Sequence, residues 1–151
     1  MNKAELIAAA KLQWTKSEAS IGKAAKGNFD AQPADGGWSA ADIYRHMVDT
    51  AHKLPEGMQA LIKEGNLGSL QPGDEEGIKN FATLNARMLP VEMNTAHGID
   101  WMALQTLTDK QLEQSVNFNG NDIKLGDLLP MFLIMHEQMH VEQALAAAGV
   151  A

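Results

Sequence analysis

The sequence predicts an all-α fold, an antiparallel four-helix bundle, from three features. Four long stretches repeat apolar residues at spacings of three and four, the period of one helix face. Gly- and Pro-rich loops separate them. One short stretch, Ser115 to Lys124, carries the turn chemistry of a strand pair and would make a hairpin-like connection before the last helix. The 151 residues suit a single domain, 1–151, large enough to bury a core without cross-links.

The first helix is expected from Lys3 to Lys26, with Ile7, Ala10, Trp14, Ser17, Ile21 and Ala24 along one stripe. Lys11, Lys16, Glu18 and Lys23 lie off it, where water can solvate them. Gln32 to Gly37 then forms a loop. Ser39 opens the second helix, its hydroxyl placed to accept from free amides, with Asp42 near the positive helix end. Ile43, Met47, Leu54 and Leu61 mark its buried side, and Pro55 predicts a kink or short break. Gly65 to Gly77 reads as loop. A third helical stretch runs from Glu76 to Thr106, with an interruption at Leu89-Pro90 where proline can start a new helix. Thr108 caps a short helical turn, and Asn119-Gly120 centres the hairpin. The last helix, Leu125 to Ala148, is the most apolar, with Leu128, Leu129, Met131, Phe132, Met135, Met139 and Leu145, and is expected to be central.

Composition narrows the function. The formal charge is −7, with no Lys/Arg cluster, which argues against binding nucleic acid through its phosphates or an anionic membrane surface. No run approaches the ~18 apolar residues of a membrane span, and the start lacks a signal peptide's apolar core, so a cytoplasmic location is the expectation. With no cysteine, the chain has no disulfide, thiolate ligand or cysteine nucleophile. Histidine is left as the strong nitrogen ligand.

The sharpest motif is His136-Glu-Gln-Met-His140 on the last helix. Residues four apart lie ~40° apart around a helix and ~6 Å along it, so both rings can reach one ion. An apolar helix has no packing reason for two adjacent imidazoles, each of which would need a polar partner when buried. The pattern is also H-E-x-x-H, in which zincin proteases use the Glu as general base. Zincins take a third ligand downstream, where only Glu142 is available, two residues on and facing away. The third ligand must come from upstream, and His46, beside the stripe of Ile43 and Met47, is the best placed. His52 falls on another side of that helix and reads as a surface residue. His97 reads as part of a solvated face, with a place near the site as the alternative.

Trp38-Ser39-Ala-Ala-Asp-Ile-Tyr-Arg-His46 and His136-x-x-x-His140-x-x-Gln143 together resemble the DinB/YfiT-like metalloenzymes, four-helix bundles with a three-histidine metal site. The order and spacing of the intervening segments also agree, and the resemblance covers nearly the whole chain. It implies His46, His136 and His140 as metal ligands and a homodimer. Pro55 departs from the family pattern and bears on the length of helix two. Gln143 shares the face of both histidines and is a candidate to hydrogen-bond a ligand or a bound water. Asp42 and Asp49 flank His46 and read as a capping acid and a solvated charge. Glu137, turned ~100° from His136, is the candidate catalytic base.

Three histidines without a fourth protein ligand make an open site of catalytic type. Such a donor set suits one divalent ion per chain, Zn, Ni, Fe or Cu, and the sequence does not choose among them. The resemblance implies a small-molecule substrate and a low-molecular-weight thiol cosubstrate, since relatives use mycothiol or bacillithiol. The absence of cysteine fits a sulfur that arrives with the cosubstrate. The reading is therefore a metal-dependent enzyme of thiol-transferase, isomerase or hydrolase type. Its alternatives are a non-catalytic bundle pinned by the ion and a helical interaction module without metal.

Overall fold

The computed structural model describes residues 1–70 and 75–150 and is mostly helical, with one two-stranded sheet. Helix α1 spans Lys3–Ala24, capped by the Asn2 side chain on the Glu5 amide. Helix α2 spans Ala40–Glu64; Ser39 Oγ accepts from the Asp42 amide, and Gly65, at φ 76°, closes it in the left-handed conformation. The break expected at Pro55 is absent, because α2 continues through it as one segment.

The third helical stretch is interrupted as expected, with a new helix starting at Leu89-Pro90, but the gap before it is wider than a break at the proline. Helix α3, Glu75–Asn80, is followed by turns, and α4 covers Leu89–Gln105 with Pro90 in its first turn. Residues 71–74 of the expected loop lie outside the described residues, and Gly77 belongs to α3. The short helix α5, Asp109–Leu112, carries a full capping box between Thr108 and Gln111. Strands β1, Ser115–Phe118, and β2, Asn121–Lys124, pair antiparallel around Asn119 and Gly120. Both turn residues have positive φ, 53° and 83°, as a tight hairpin turn of this kind requires.

The last run comprises α6, Leu125–Pro130, a π-helical turn, Met131–Met135, and α7, His136–Ala147. In a regular α-helix each step of four residues drifts ~40° around the axis. Leu125, Leu129, Leu133 and Glu137 nonetheless all end up buried. The wide turn supplies the reason, since one extra residue in a turn rotates everything after it back by ~100°. One expectation is corrected here: Met131, at the start of the wide turn, and Met135 and Met139, rotated by it, are 41%, 61% and 54% exposed and do not belong to the core.

Helix α1 packs on α4 and α7, and α2 packs on the same two. The ends give the directions. Lys3 at the start of α1 meets Gln105 at the end of α4 and Asp109 beyond it, and Asn28 after α1 meets Ala148 after α7. His52 pairs with Glu92, and Arg45 reaches the Leu84 carbonyl, so α2 and α4 run the same way. The arrangement is thus not antiparallel throughout. The long connection between α2 and α4 acts as a crossover, where an antiparallel arrangement was expected.

Two apolar clusters fill the interior. One gathers Leu6, Ala10 and Trp14 with Met58, Leu61, Leu104, Leu128 and Leu133; the other gathers Ile21, Ile43, Tyr44, Met47, Leu89, Met93 and Ala144. Every long run passes from one cluster to the other, and at the crossing each contributes buried polar side chains: Ser17, His46, Asp49, His97, Asp100, Glu137 and His140. A polar layer therefore lies between two apolar ones.

Candidate metal centre in the polar layer

Helix α2 carries His46 into this layer, and the register restored by the π turn brings His136 and His140 to meet it. His46 Nε2 lies 3.3 Å from His136 Nε2, which lies 3.0 Å from His140 Nε2. One ring nitrogen from each of the three falls within 4.8 Å of the others, so the cluster could hold a metal ion. The spacing fits the donor set: bonds of ~2.0–2.1 Å to a tetrahedral ion separate its nitrogens by roughly 3.4 Å.

The protonation pattern fits as well. His140 Nδ1–H donates to Gln143 Oε1 at 2.8 Å, which leaves the His140 Nε2 lone pair facing the cluster. Without an ion, several lone pairs and N–H groups crowd together with too few complementary partners, and buried His46 Nδ1 has no partner among the described residues. Burial, reinforced by the neighbouring His140, lowers the His46 pKa to about 4. His136 is likewise lowered to about 4, by burial first and then by its two histidine neighbours, and burial lowers His140. The three rings are therefore neutral at pH 7, in the form that donates to a cation. Trp38 leans on His46 with ring centroids 5.2 Å apart and helps to fix its orientation.

Around this cluster the layer differs from the sequence expectations. His97 is not on a solvated face: it is buried at 3% exposure, stacked on Trp14, and its Nε2 donates to Glu137 Oε1 at 2.6 Å. Glu137 Oε2 accepts from Ser17 Oγ, also at 2.6 Å. Both Glu137 oxygens are thus held, from α1 and from α4. His97 Nδ1 faces Glu18 at 3.6 Å. Asp49 is also not a solvated charge: it is buried, paired with Lys53 at 2.9 Å, and covered by α3. A Cβ at Gly77 would collide with its carboxylate, so only glycine lets α3 approach. Asp42 pairs with Arg45 near the start of α2, and His52 sits half-buried against Glu92 and Phe81.

Sequence reasoning passed over Asp100. It is 1% exposed, its Oδ1 has no partner among the described residues, and it lines a small cavity with His136 and Glu137. Burial, and then the adjacent Glu137 charge, push its pKa up to about 9, so at neutral pH it is an uncharged acid that can donate a proton or a hydrogen bond. A signal was present. Leu89, Met93, Ala96, Asp100 and Leu104 follow one helical stripe, with His97 beside Ala96, so an acid and an imidazole stood on a core face. Ser17 was likewise visible within the α1 stripe, as a polar residue among apolar ones.

No family model and no curated protein matches the chain. Among solved structures, a histidine-to-alanine mutant of the mycothiol-dependent maleylpyruvate isomerase has a similar fold, with a TM-score of 0.73 at 15% identity. The likeness covers 100% of this chain and 62% of that one. That isomerase is a DinB/YfiT-like enzyme, so the fold agrees with the resemblance carried by the two motifs, and the three histidines of those motifs meet.

Proposed function

We propose that this protein is a divalent-metal-dependent enzyme acting on a small molecule, with His46, His136 and His140 as the ligands. The observation that carries this reading is the convergence of three neutral imidazoles in a buried layer, one of them fixed in tautomer by Gln143. No fourth His, Asp or Glu joins the three histidines among the described residues, which supports an open site over a closed structural one. When bound, the ion would supply Lewis acidity and stabilise a coordinated anion at neutral pH.

The chain's own residues then have distinct parts. Asp100, uncharged in the cavity wall beside His136, can donate a hydrogen bond to a substrate oxygen. Glu137, fixed by Ser17 and His97, places a negative charge beside the cavity and is the base in this reading. Because the chain has no cysteine, a nucleophilic sulfur would have to come with a cosubstrate. The mycothiol-dependent neighbour favours a thiol-dependent transferase or isomerase over a hydrolase.

Elemental analysis of the purified protein is the first test, with close to one divalent ion per chain expected. The loaded protein is then screened against small electrophiles with and without low-molecular-weight thiols, and against simple esters and amides. Thiol-dependent turnover is expected. Thiol-independent hydrolysis that collapses in Glu137→Gln would replace the transferase reading with a hydrolase one. A metal-free protein would end both.

A further inference from the structure

We propose that the small cavity in the polar layer binds a single water molecule, held between Asp100 and Glu137. The site stands on the cavity and its walls and does not depend on an ion at the histidines. Thr50 and Ala51 of α2 line one side, Asp100 of α4 a second, and His136 and Glu137 of α7 a third, with the rest of the wall apolar. The room it leaves for water is about 20 Å³. One molecule needs roughly 10–15 Å³, so one fits and a pair does not.

Cavities of this size stay dry only when their walls are apolar, and this wall is not. Asp100 is 1% exposed, and its Oδ1 has no hydrogen-bond partner among the described residues. A buried acid left in that state costs free energy that a water can recover. The Glu137 charge is near enough to help raise Asp100, which therefore keeps a proton to donate at neutral pH. Water can accept that proton's hydrogen bond and has two hydrogens of its own to place. Each Glu137 oxygen accepts one bond, from His97 or Ser17, and retains a free lone pair. Thr50 Oγ donates to the His46 carbonyl at 3.0 Å and can still accept. Asp100, Glu137 and Thr50 thus offer one donor and two acceptors, the three partners typical of a buried water. The size of the cavity also sets what can replace the water. A carbon chain or ring does not fit, so a substrate atom that reaches Asp100 is a lone oxygen, and it must displace this molecule.

The test is a crystal structure of the full chain, as purified and after treatment with a chelator. One isolated density peak is expected at ~2.5–3.0 Å from an Asp100 carboxyl oxygen in both forms. A cavity without density, or Asp100 turned onto a protein partner, overturns the proposal. A peak that appears only with metal bound belongs to the ion and overturns it as well. In solution, the water should transfer magnetisation to the methyl groups of Ala51 and Leu133, which line the cavity. Ala51→Val fills the cavity and leaves Asp100 in place, so it should remove both the density peak and the transfer to Leu133. Asp100→Leu takes away the acid and should remove them too, and it decides the matter if Ala51→Val does not fold. Density or transfer undiminished in the folded variants overturns the proposal. Metal content, measured on the same samples, reports on the histidine cluster separately, and its loss would leave the water site to be judged on its own density.

Discussion

Asp100→Asn should stabilise the protein at alkaline pH and leave it nearly unchanged at acidic pH. Unfolded, an aspartate titrates near its ordinary value of 3.8; folded, Asp100 titrates at about 9, because burial and the Glu137 charge oppose its ionisation. Between those values the native state holds a proton that the unfolded state has released. Stability contributed by the protonated acid is therefore fully present below about pH 4 and is lost as pH rises toward 9. The loss is about 1.4 kcal/mol per pH unit, or about 4 kcal/mol between pH 5 and pH 8. Asparagine has nearly the same shape, keeps a donor and does not titrate. The stability difference between variant and wild type should thus grow by about 4 kcal/mol over that interval. The depressed histidines act oppositely, adding stability as pH rises from about 4 toward 6.5, but they are common to both proteins and cancel in the difference. The assay is urea unfolding at pH 5, 6, 7 and 8 with a chelator present, so that no ion contributes. A difference independent of pH would refute the argument, because it would mean that Asp100 is ionised in the folded protein.

His46→Ala, His136→Ala and His140→Ala should each reduce bound metal to a small fraction of one ion per chain, measured by elemental analysis after dialysis, while His52→Ala should keep it. Gln143→Ala should retain the ion but weaken it by about 10- to 100-fold in a competition titration, since it removes the acceptor that fixes the His140 tautomer. His97→Ala should keep the ion and lower stability by about 2–4 kcal/mol in urea unfolding, because it opens space beside Trp14 and takes one of two hydrogen bonds from buried Glu137.

The sequence by itself determined the helical segments, their caps and the hairpin. These depend on neighbours a few residues apart: Ser39 on the Asp42 amide, Thr108 on Gln111, and the positive-φ pair Asn119-Gly120. It also brought three histidines forward as one group, because two lie four apart on one helix and the third follows a legible cap. Tertiary structure decided the rest. The direction of α4 relative to α2 depends on how the connection crosses, and no local period encodes that. The π turn rotated Met135 and Met139 to the surface while holding Glu137 inward, a rotation invisible to a pattern read at a constant period. His97 and Asp49 looked solvated because their polarity was judged on their own helices. They are buried because neighbouring elements cover them: α7 brings Glu137 to His97, while α3 covers Asp49, which pairs with Lys53 one turn on along its own helix. Burying a polar group is tolerable when a partner completes its hydrogen bonds or its protonation shifts; for His97 the partner, and for Asp100 the burial and the Glu137 charge, come from elements distant in sequence.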